Sequence, residues 1–276
     1  MPDNLMQEIL RDDVWDFVPR RFDRGPYNKP VKKYYRISIC TTCMGRTENL
    51  KKTYLKNITD SYSFKCKTEF VLLNYNSQDD MDEWVKDELM MLINAGIVNY
   101  YHTTEPKYYS MTHSRNIAFK LAQGDIVNSV DADHFVKKDF VSYINFLANQ
   151  GIKKPVFLKS KQKNRGRLGF FKKDFMWLGG YDEDIEGYGF DDVDLLHRAL
   201  CSGFTCLFFG GKFFSHVDDH KRHPTDNYPH TDWRYQQRKN TLISLLNLKY
   251  KRYQANKGKH WGKAKLIKNF TEHIEI

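Results

Sequence analysis

Long apolar runs are missing from this chain of 276 residues. Runs such as Phe70 to Leu73 and Cys206 to Phe209 span about four residues, whereas a membrane-spanning helix needs about twenty. Met1 to Glu8 show no basic region leading into an apolar stretch, so no secretory signal is expected and a cytoplasmic location is. Cysteine is scarce and odd in number, five in all, which suits reduced thiols better than a disulfide framework. The Gly-x-x-x-x-Gly-Lys-Ser/Thr phosphate loop is absent, as is a dinucleotide glycine fingerprint after the first strand. No internal repeat or low-complexity stretch is present.

What remains is ordinary globular composition, 41% hydrophobic and 28% charged, enough for one large domain or two small ones. Acidic residues are absent between Arg238 and Lys268, where ten Lys and Arg fall, and this stretch carries the whole +10 excess. The rest of the chain is balanced. The basic segment reads as a solvated helix packed through Leu242 and Leu246 with mobile lysines beyond. Its alternatives are a contact with anionic membrane, where each basic residue contributes about 1 kcal/mol, or a nucleic-acid surface. The last is disfavoured because the segment belongs to no recognised binding module.

Periodicity organises the chain from Tyr35 onward. Tyr35 to Cys40 reads as a strand, followed by a turn at Met44-Gly45 and a helix with Leu50, Tyr54, Leu55 and Ile58 on one face, N-capped by Thr47. Glu69 to Asn74 reads as a second strand, followed by a helix carrying Trp84, Val85, Leu89 and Leu92. Gly96 to Tyr101 predicts a third strand, Ile117 to Leu121 part of a third helix, and Asp125 to Val130 a fourth strand. Strands alternating with helices predict an α/β fold whose parallel sheet is covered on both faces, with ligands bound at the strands' carboxyl ends. Further on, the strands are Val156 to Lys159, Leu168 to Phe171 and Phe204 to Phe209. Helices are expected over Phe140 to Ala148, Lys172 to Leu178 and Asp192 to Leu200.

Two acidic constellations stand out. Asp131-Ala-Asp133 closes the fourth strand, and carboxylates at i and i+2 share a face, so both can reach one cation or one metal-bridged diphosphate. Solvated loop acids are the plainer reading; the preceding strand is what favours a ligand site. The second runs from Gly179 to Asp194, with four glycines within eleven residues and Asp191, Asp192 and Asp194 at the start of a helix. Helix capping accounts for one of these acids, not three. An acid that deprotonates a sugar hydroxyl, beside an aromatic such as Tyr188 on which the sugar ring stacks, is the functional reading.

In order along the chain, strand Ile37 to Cys40, Thr41-Thr42 with Arg46, Asn74 to Ser77, Met111 to Asn116 and Asp131-Ala-Asp133 resemble the donor-binding half of a family 2-like GT-A glycosyltransferase. Gly166 to Lys172, Gly179 to Asp182 and Gly187 to Asp194 resemble the acceptor motif of the β-1,4-galactosyltransferase group and related N-acetylgalactosaminyltransferases. These motifs cover about Tyr35 to His216. The resemblance implies a GT-A fold, a Rossmann-like mixed sheet flanked by helices. It also implies a metal-dependent inverting hexosyltransferase using a nucleotide-sugar donor, UDP-hexose or UDP-N-acetylhexosamine, with a glycan or glycolipid acceptor.

By the same resemblance, Thr41, Arg46, Asn74 and Asn76 hold the nucleoside, Arg115 secures the donor, and Asp131 contacts ribose or metal. Asp133 and His216 bind Mn²⁺ or Mg²⁺ with Asp131. Where those galactosyltransferases carry a Met ligand this chain has Phe213, which cannot ligate, and His220 and His223 compete with His216. Asp192 matches the general base. Asp191, Tyr188, Gly187 and Gly189 match acceptor positions, and Trp177 is a weaker stacking candidate. The chain divides on this basis into an extension (1–34), the transferase domain (35–237, its nucleotide half 35–134 and acceptor half 135–237) and the basic segment 238–276, of which 238–268 could touch a membrane peripherally.

Cys40-Thr-Thr-Cys43 lies between a strand and a helix as a redox pair would, but Cys40 belongs to the apolar strand. Cys66, Cys201 and Cys206 offer no second pair at zinc spacing. Two other functions stay open: a sugar nucleotidyltransferase with a similar sheet and acidic pair, and a non-catalytic protein binding nucleic acid or membrane through the basic segment.

Overall fold

The structure is a computed structural model that describes residues 19, 21–23, 25–158, 167–208, 213–217 and 225–276. Gly166, His220 and His223 lie outside the described residues. In chain order the elements are β1 (Phe22–Asp23), β2 (Ile37–Cys43), α1 (Thr47–Ser61), β3 (Glu69–Tyr75), α2 (Met81–Glu88), α3 (Met90–Asn94), β4 (Val98–Thr103), α4 (Met111–Leu121) and β5 (Ile126–Ser129). They continue with β6 (His134–Val136), α5 (Phe140–Ala148), β7 (Pro155–Leu158), β8 (Leu168–Phe171), α6 (Lys172–Trp177), α7 (Asp191–Cys201), β9 (Thr205–Phe208), β10 (Phe214–His216), α8 (Trp233–Lys249), β11 (Lys265–Lys268) and β12 (Glu272–Glu275).

Ten strands form one mixed sheet in the order β1-β9-β7-β8-β5-β2-β3-β4-β11-β12. Its centre is parallel, with β5, β2, β3 and β4 side by side, while β8 runs antiparallel to β5 and β7. β6 and β10 form a separate antiparallel ribbon. Because successive side chains of a strand point to opposite faces, β2 contributes to two cores. Ile37, Ile39 and Cys43 pack on one face with Leu50 and Tyr54 of α1; Cys40 packs on the other with Ile117 of α4 and Leu195 of α7. Fully burying a large apolar side chain contributes about 1.5–3 kcal/mol, so these two layers fix the sheet between its helices.

Three details differ from the sequence expectation. Thr47 is the first residue of α1 and not its cap; Arg46 holds the cap position without a side-chain bond. Asp79, 32 positions away, accepts from the Thr47 backbone N–H at 3.1 Å and from its hydroxyl at 2.8 Å, a long-range cap that spacing cannot reveal. The helix expected around Trp84 and Leu92 is broken at Leu89 into α2 and α3.

The third difference concerns the basic segment. Residues 238–276 are not a separate appendage: α8 holds most of its first turns, and β11 pairs antiparallel with β4 through Ile267↔His102 and Lys268↔Tyr101. The buried Leu242, Leu245, Leu248 and Leu266 drive this docking. Three lysines of the segment meet acids, Lys239 with Glu186 (3.3 Å), Lys259 with Asp184 (2.6 Å) and Lys268 with Glu272 (3.3 Å). No described helix is long and apolar enough to cross a membrane.

Candidate functional site

At the carboxyl ends of β2 and β5 lies a cleft of about 430 Å³ whose walls include Thr42, Arg46, Tyr109, Arg115, Asp131, Asp133, His134, Tyr188, His216 and Tyr228. Its floor is built by β5. Val130 donates its N–H to Cys40 O, continuing the strand one residue, and the chain then turns so that His134 N–H bonds Asp131 O. This turn brings the carboxylates of Asp131 and Asp133 and the ring of His134 together, with ligand atoms from all three within 4.8 Å of one another.

His134 Nδ1 is 2.7 Å from Asp133 Oδ1 and 3.6 Å from Asp131 Oδ2, yet this buried nitrogen makes no hydrogen bond. Two carboxylates and an imidazole with an unused nitrogen fit a divalent cation such as Mn²⁺ or Mg²⁺. His134 was not singled out by spacing, although it directly follows the second aspartate. His216 stands opposite it in the β6–β10 ribbon, ring centroids 6.0 Å apart, and lines the cleft without belonging to the three-ligand group.

Arg115, on α4 and 4% exposed, organises the opposite side. Its NH2 donates to Asp131 Oδ1 at 2.8 Å and its NH1 to Asp191. Asp131 therefore turns Oδ1 to Arg115 and Oδ2 to His134. Burial alone would raise the Asp131 carboxyl, but the charges of Arg115, His134 and Arg167 reverse this and hold it at about 2. The buried guanidinium, penalised by desolvation, is kept charged by Asp191 and Asp131.

The acids of the α7 first turn have separate partners. Asp191 pairs with Arg115, while Asp194, fully buried, accepts from Arg198 Nε at 2.6 Å. Arg198 also donates to Leu178 O (3.1 Å) and Gly180 O (2.8 Å), which ties α7 to the glycine turn. Asp192 is half-buried between them, and its Oδ1 accepts from the Val193 N–H at 2.8 Å.

Gly187 and Gly189 are both left-handed, with φ of 69° and 85°, and Phe190 follows at 73°. A Cβ on Gly187 would press into the Gln236 side chain of α8, and the positive φ adds strain for any other residue, so glycine suits this loop where it meets the helix. The loop delivers Tyr188 to the cleft, where its ring meets Tyr228 edge-on at 6.0 Å, and Tyr228 in turn meets Tyr109 at 5.6 Å. Tyr109 OH is 2.6 Å from Thr42 Oγ1. Burial, then the Asp191 and Asp131 charges, raise the Tyr188 phenol, which stays a hydrogen-bond donor at neutral pH.

Several expected nucleoside contacts are engaged elsewhere. Thr41 is buried and absent from the cleft wall; alternation puts Thr42 there in its place. Asn74, also buried, donates to Asp82 (2.8 Å) and Tyr100 OH (2.9 Å) and accepts from the Ser77 N–H (2.8 Å), so it ties β3 to α2. Asn76 is left-handed and donates to Pro106 O at 2.8 Å, outside the wall. Arg46 lines the cleft as expected from its place after β2. Trp177 lies outside it, with Lys154 Nζ 4.6 Å from its ring centroid. Cys40 and Cys43 are buried and free, and burial pushes the Cys43 thiol up to about 12, the reverse of a reactive pair.

The sheet order and the cleft at its carboxyl edge define the GT-A glycosyltransferase fold. Among solved structures, the chain is similar to the mannosyltransferase PcManGT from Pyrobaculum calidifontis in complex with GDP-Man and Mn²⁺. Here the TM-score is 0.61 at 16% identity, over 90% of this chain and 74% of that one. It is also similar to GalNAc-T7 with UDP, GalNAc and Mn²⁺ (TM-score 0.54, 14% identity), covering 68% of this chain but only 44% of that one. A third is S. aureus TarS 1-349, with TM-score 0.51 and 13% identity over 78% of this chain and 72% of that one. No family model matches the chain, and no curated protein matches it.

Proposed function

We propose that this chain is a metal-dependent glycosyltransferase that moves a sugar from a nucleotide-sugar donor to an acceptor hydroxyl with inversion. The observation that carries this reading is the Asp131, Asp133 and His134 group, set at the end of a central strand in the GT-A fold, with His134 Nδ1 facing both carboxylates. Two solved chains of similar fold contain Mn²⁺ with a nucleotide or nucleotide sugar, which supports the same assignment.

Asp131 Oδ2, Asp133 and His134 Nδ1 would hold the cation. When bound there, it supplies positive charge to the leaving diphosphate. Arg115 keeps Asp131 ionised and oriented. Tyr188 and Tyr109 offer rings for a base or sugar to pack on, and Arg46 places positive charge at the N-terminus of α1. Asp192 takes the proton of the acceptor hydroxyl while that oxygen attacks the anomeric carbon and the nucleoside diphosphate leaves from the opposite face. Asp191, bound to Arg115, positions this helix turn. The acceptor is a glycan or glycolipid hydroxyl. Lys249, Lys251, Arg252, Lys257 and Lys263 are exposed, and an anionic membrane would attract such basic residues.

A thermal-shift panel of UDP- and GDP-sugars, each with and without Mn²⁺, tests the reading and names the donor. Stabilisation by a nucleotide sugar only when Mn²⁺ is present is the expected outcome. Release of pyrophosphate from a sugar phosphate and a nucleoside triphosphate would make the protein a nucleotidyltransferase in its place.

A further inference from the structure

Arg167 is a buried cation that the scheme above leaves without a task. It is 1% exposed, and its Nε, NH1 and NH2 all lack a hydrogen-bond partner among the described residues. A guanidinium carries five donors, and taking it out of water without pairing them costs several kcal/mol, so a fold does not keep one without a use. Its place is specific. It immediately precedes β8, whose neighbour β5 leads into Asp131, and its guanidinium lies 5.0 Å from the ring centroid of Phe214 in β10, the strand that also carries His216. The carboxylates of Asp131 and Asp133 both act on it electrostatically. The contrast with Arg115 is sharp: Arg115 has spent its nitrogens on Asp131 and Asp191, whereas those of Arg167 are unspent.

We propose that Arg167, which lies behind the cleft wall and not in it, is an oxyanion-binding residue: its side chain swings toward the Asp131–Asp133 pair from the β8 side and its fork takes an acidic oxygen group of the substrate. The guanidinium rests on the Phe214 ring and exchanges that contact for charge-assisted hydrogen bonds when the oxyanion arrives, a stronger and geometrically selective interaction. The chemistry has two sources, a phosphate of the donor diphosphate or an acidic substituent on the transferred sugar. Naming these sources rests on the transferase reading; the oxyanion itself does not.

The test compares the parent chain with Arg167→Gln and Arg167→Lys by calorimetric titration, after thermal melts confirm folding. The probes are Mn²⁺ alone, Mn²⁺ with inorganic pyrophosphate, Mn²⁺ with UDP or GDP, and Mn²⁺ with UDP-glucose or UDP-glucuronate. Arg167→Gln is expected to bind Mn²⁺ alone at least as tightly as the parent, since a repelling charge is gone. It should lose about tenfold or more in affinity for pyrophosphate and nucleoside diphosphate, the loss expected for a hydrogen bond to a charged group, with Arg167→Lys in between. If the acid lies on the sugar, UDP binding is unchanged and the parent's preference for UDP-glucuronate over UDP-glucose disappears. Pyrophosphate binding that depends on Arg167, with no nucleotide binding by any form, would overturn the transferase reading and leave the oxyanion site standing. Equal affinities of parent and Arg167→Gln for every probe, absence of all oxyanion binding in the parent, or failure of both variants to fold would each overturn the proposal.

Discussion

Arg115 joins Asp131, 16 positions away, to Asp191, 76 positions away, one guanidinium nitrogen on each carboxylate, with the Asp131 contact at 2.8 Å. The pair couples the strand that carries the metal group to the helix that carries Asp192. The Arg115 charge is what holds the Asp131 carboxyl low against the cost of burial.

Replacing Arg115 by Met therefore leaves buried negative charge unpaired. We expect a stability loss of about 3–5 kcal/mol in urea unfolding. Adding Asp191→Asn should recover part of it, so the double variant falls short of the sum of the singles. Additive losses would mean that the two residues do not act as a pair.

Asp192→Asn keeps size and hydrogen bonding at the first turn of α7 while removing the basic oxygen. Transfer to the acceptor is expected to fall by about 10²–10⁴, the usual contribution of a general base. Metal-dependent binding of the donor should be preserved. Normal turnover in this variant would take the base role away from Asp192.

Asp133→Ala and His134→Ala each remove one of the three proposed ligands. Mn²⁺ affinity, followed by titration of the free ion, should drop by at least about tenfold in either. His216→Ala should reduce it less, because His216 stands outside the three-ligand group. The reverse order would move the cation toward the β10 side of the ribbon.

Asp82 gives a pH dependence with a defined sign. Burial would raise its carboxyl, but hydrogen bonds from His102, Tyr100 and Asn74 and the His102 charge hold it at about 2. A carboxyl lowered in the folded state stabilises fully above its unfolded value near 3.8 and loses that contribution as pH falls toward about 2. The contribution at neutral pH is about 2 kcal/mol. Asp82→Asn should thus destabilise the protein at pH 7 and lose most of its difference from the parent near pH 2, as read by urea unfolding at each pH.

Much of the molecule was legible from local pattern. The order of the sheet strands and most helices from β2 to α7, without β6 and the break at Leu89, the burial of Leu50 and Tyr54 and the place of Asp131-Ala-Asp133 at a strand end follow from periodicity, which the backbone enforces over a few residues at a time. The resemblance to GT-A enzymes likewise foresaw the fold.

Alternation along β2 is present in the sequence, but it does not say which face meets the cleft, and the fold puts Thr42 in the wall and buries Thr41. Nothing local shows that the Asn74 amide bonds Asp82 and Tyr100. His134, adjacent to Asp133, carried a readable signal; what identifies it is the turn that folds its ring back over both carboxylates.

By itself, then, the sequence determined most strands and helices from β2 to α7, the α/β class and the strand end where acids gather, because hydrophobic period and turn chemistry act between near neighbours. Tertiary structure alone decided that Arg115 is shared by Asp131 and Asp191, that Arg167 is buried without a partner, and that the basic C-terminal segment supplies strands to the sheet. Each of these depends on which distant groups are brought together in a place from which water is excluded, and there pairing or its absence governs the energy.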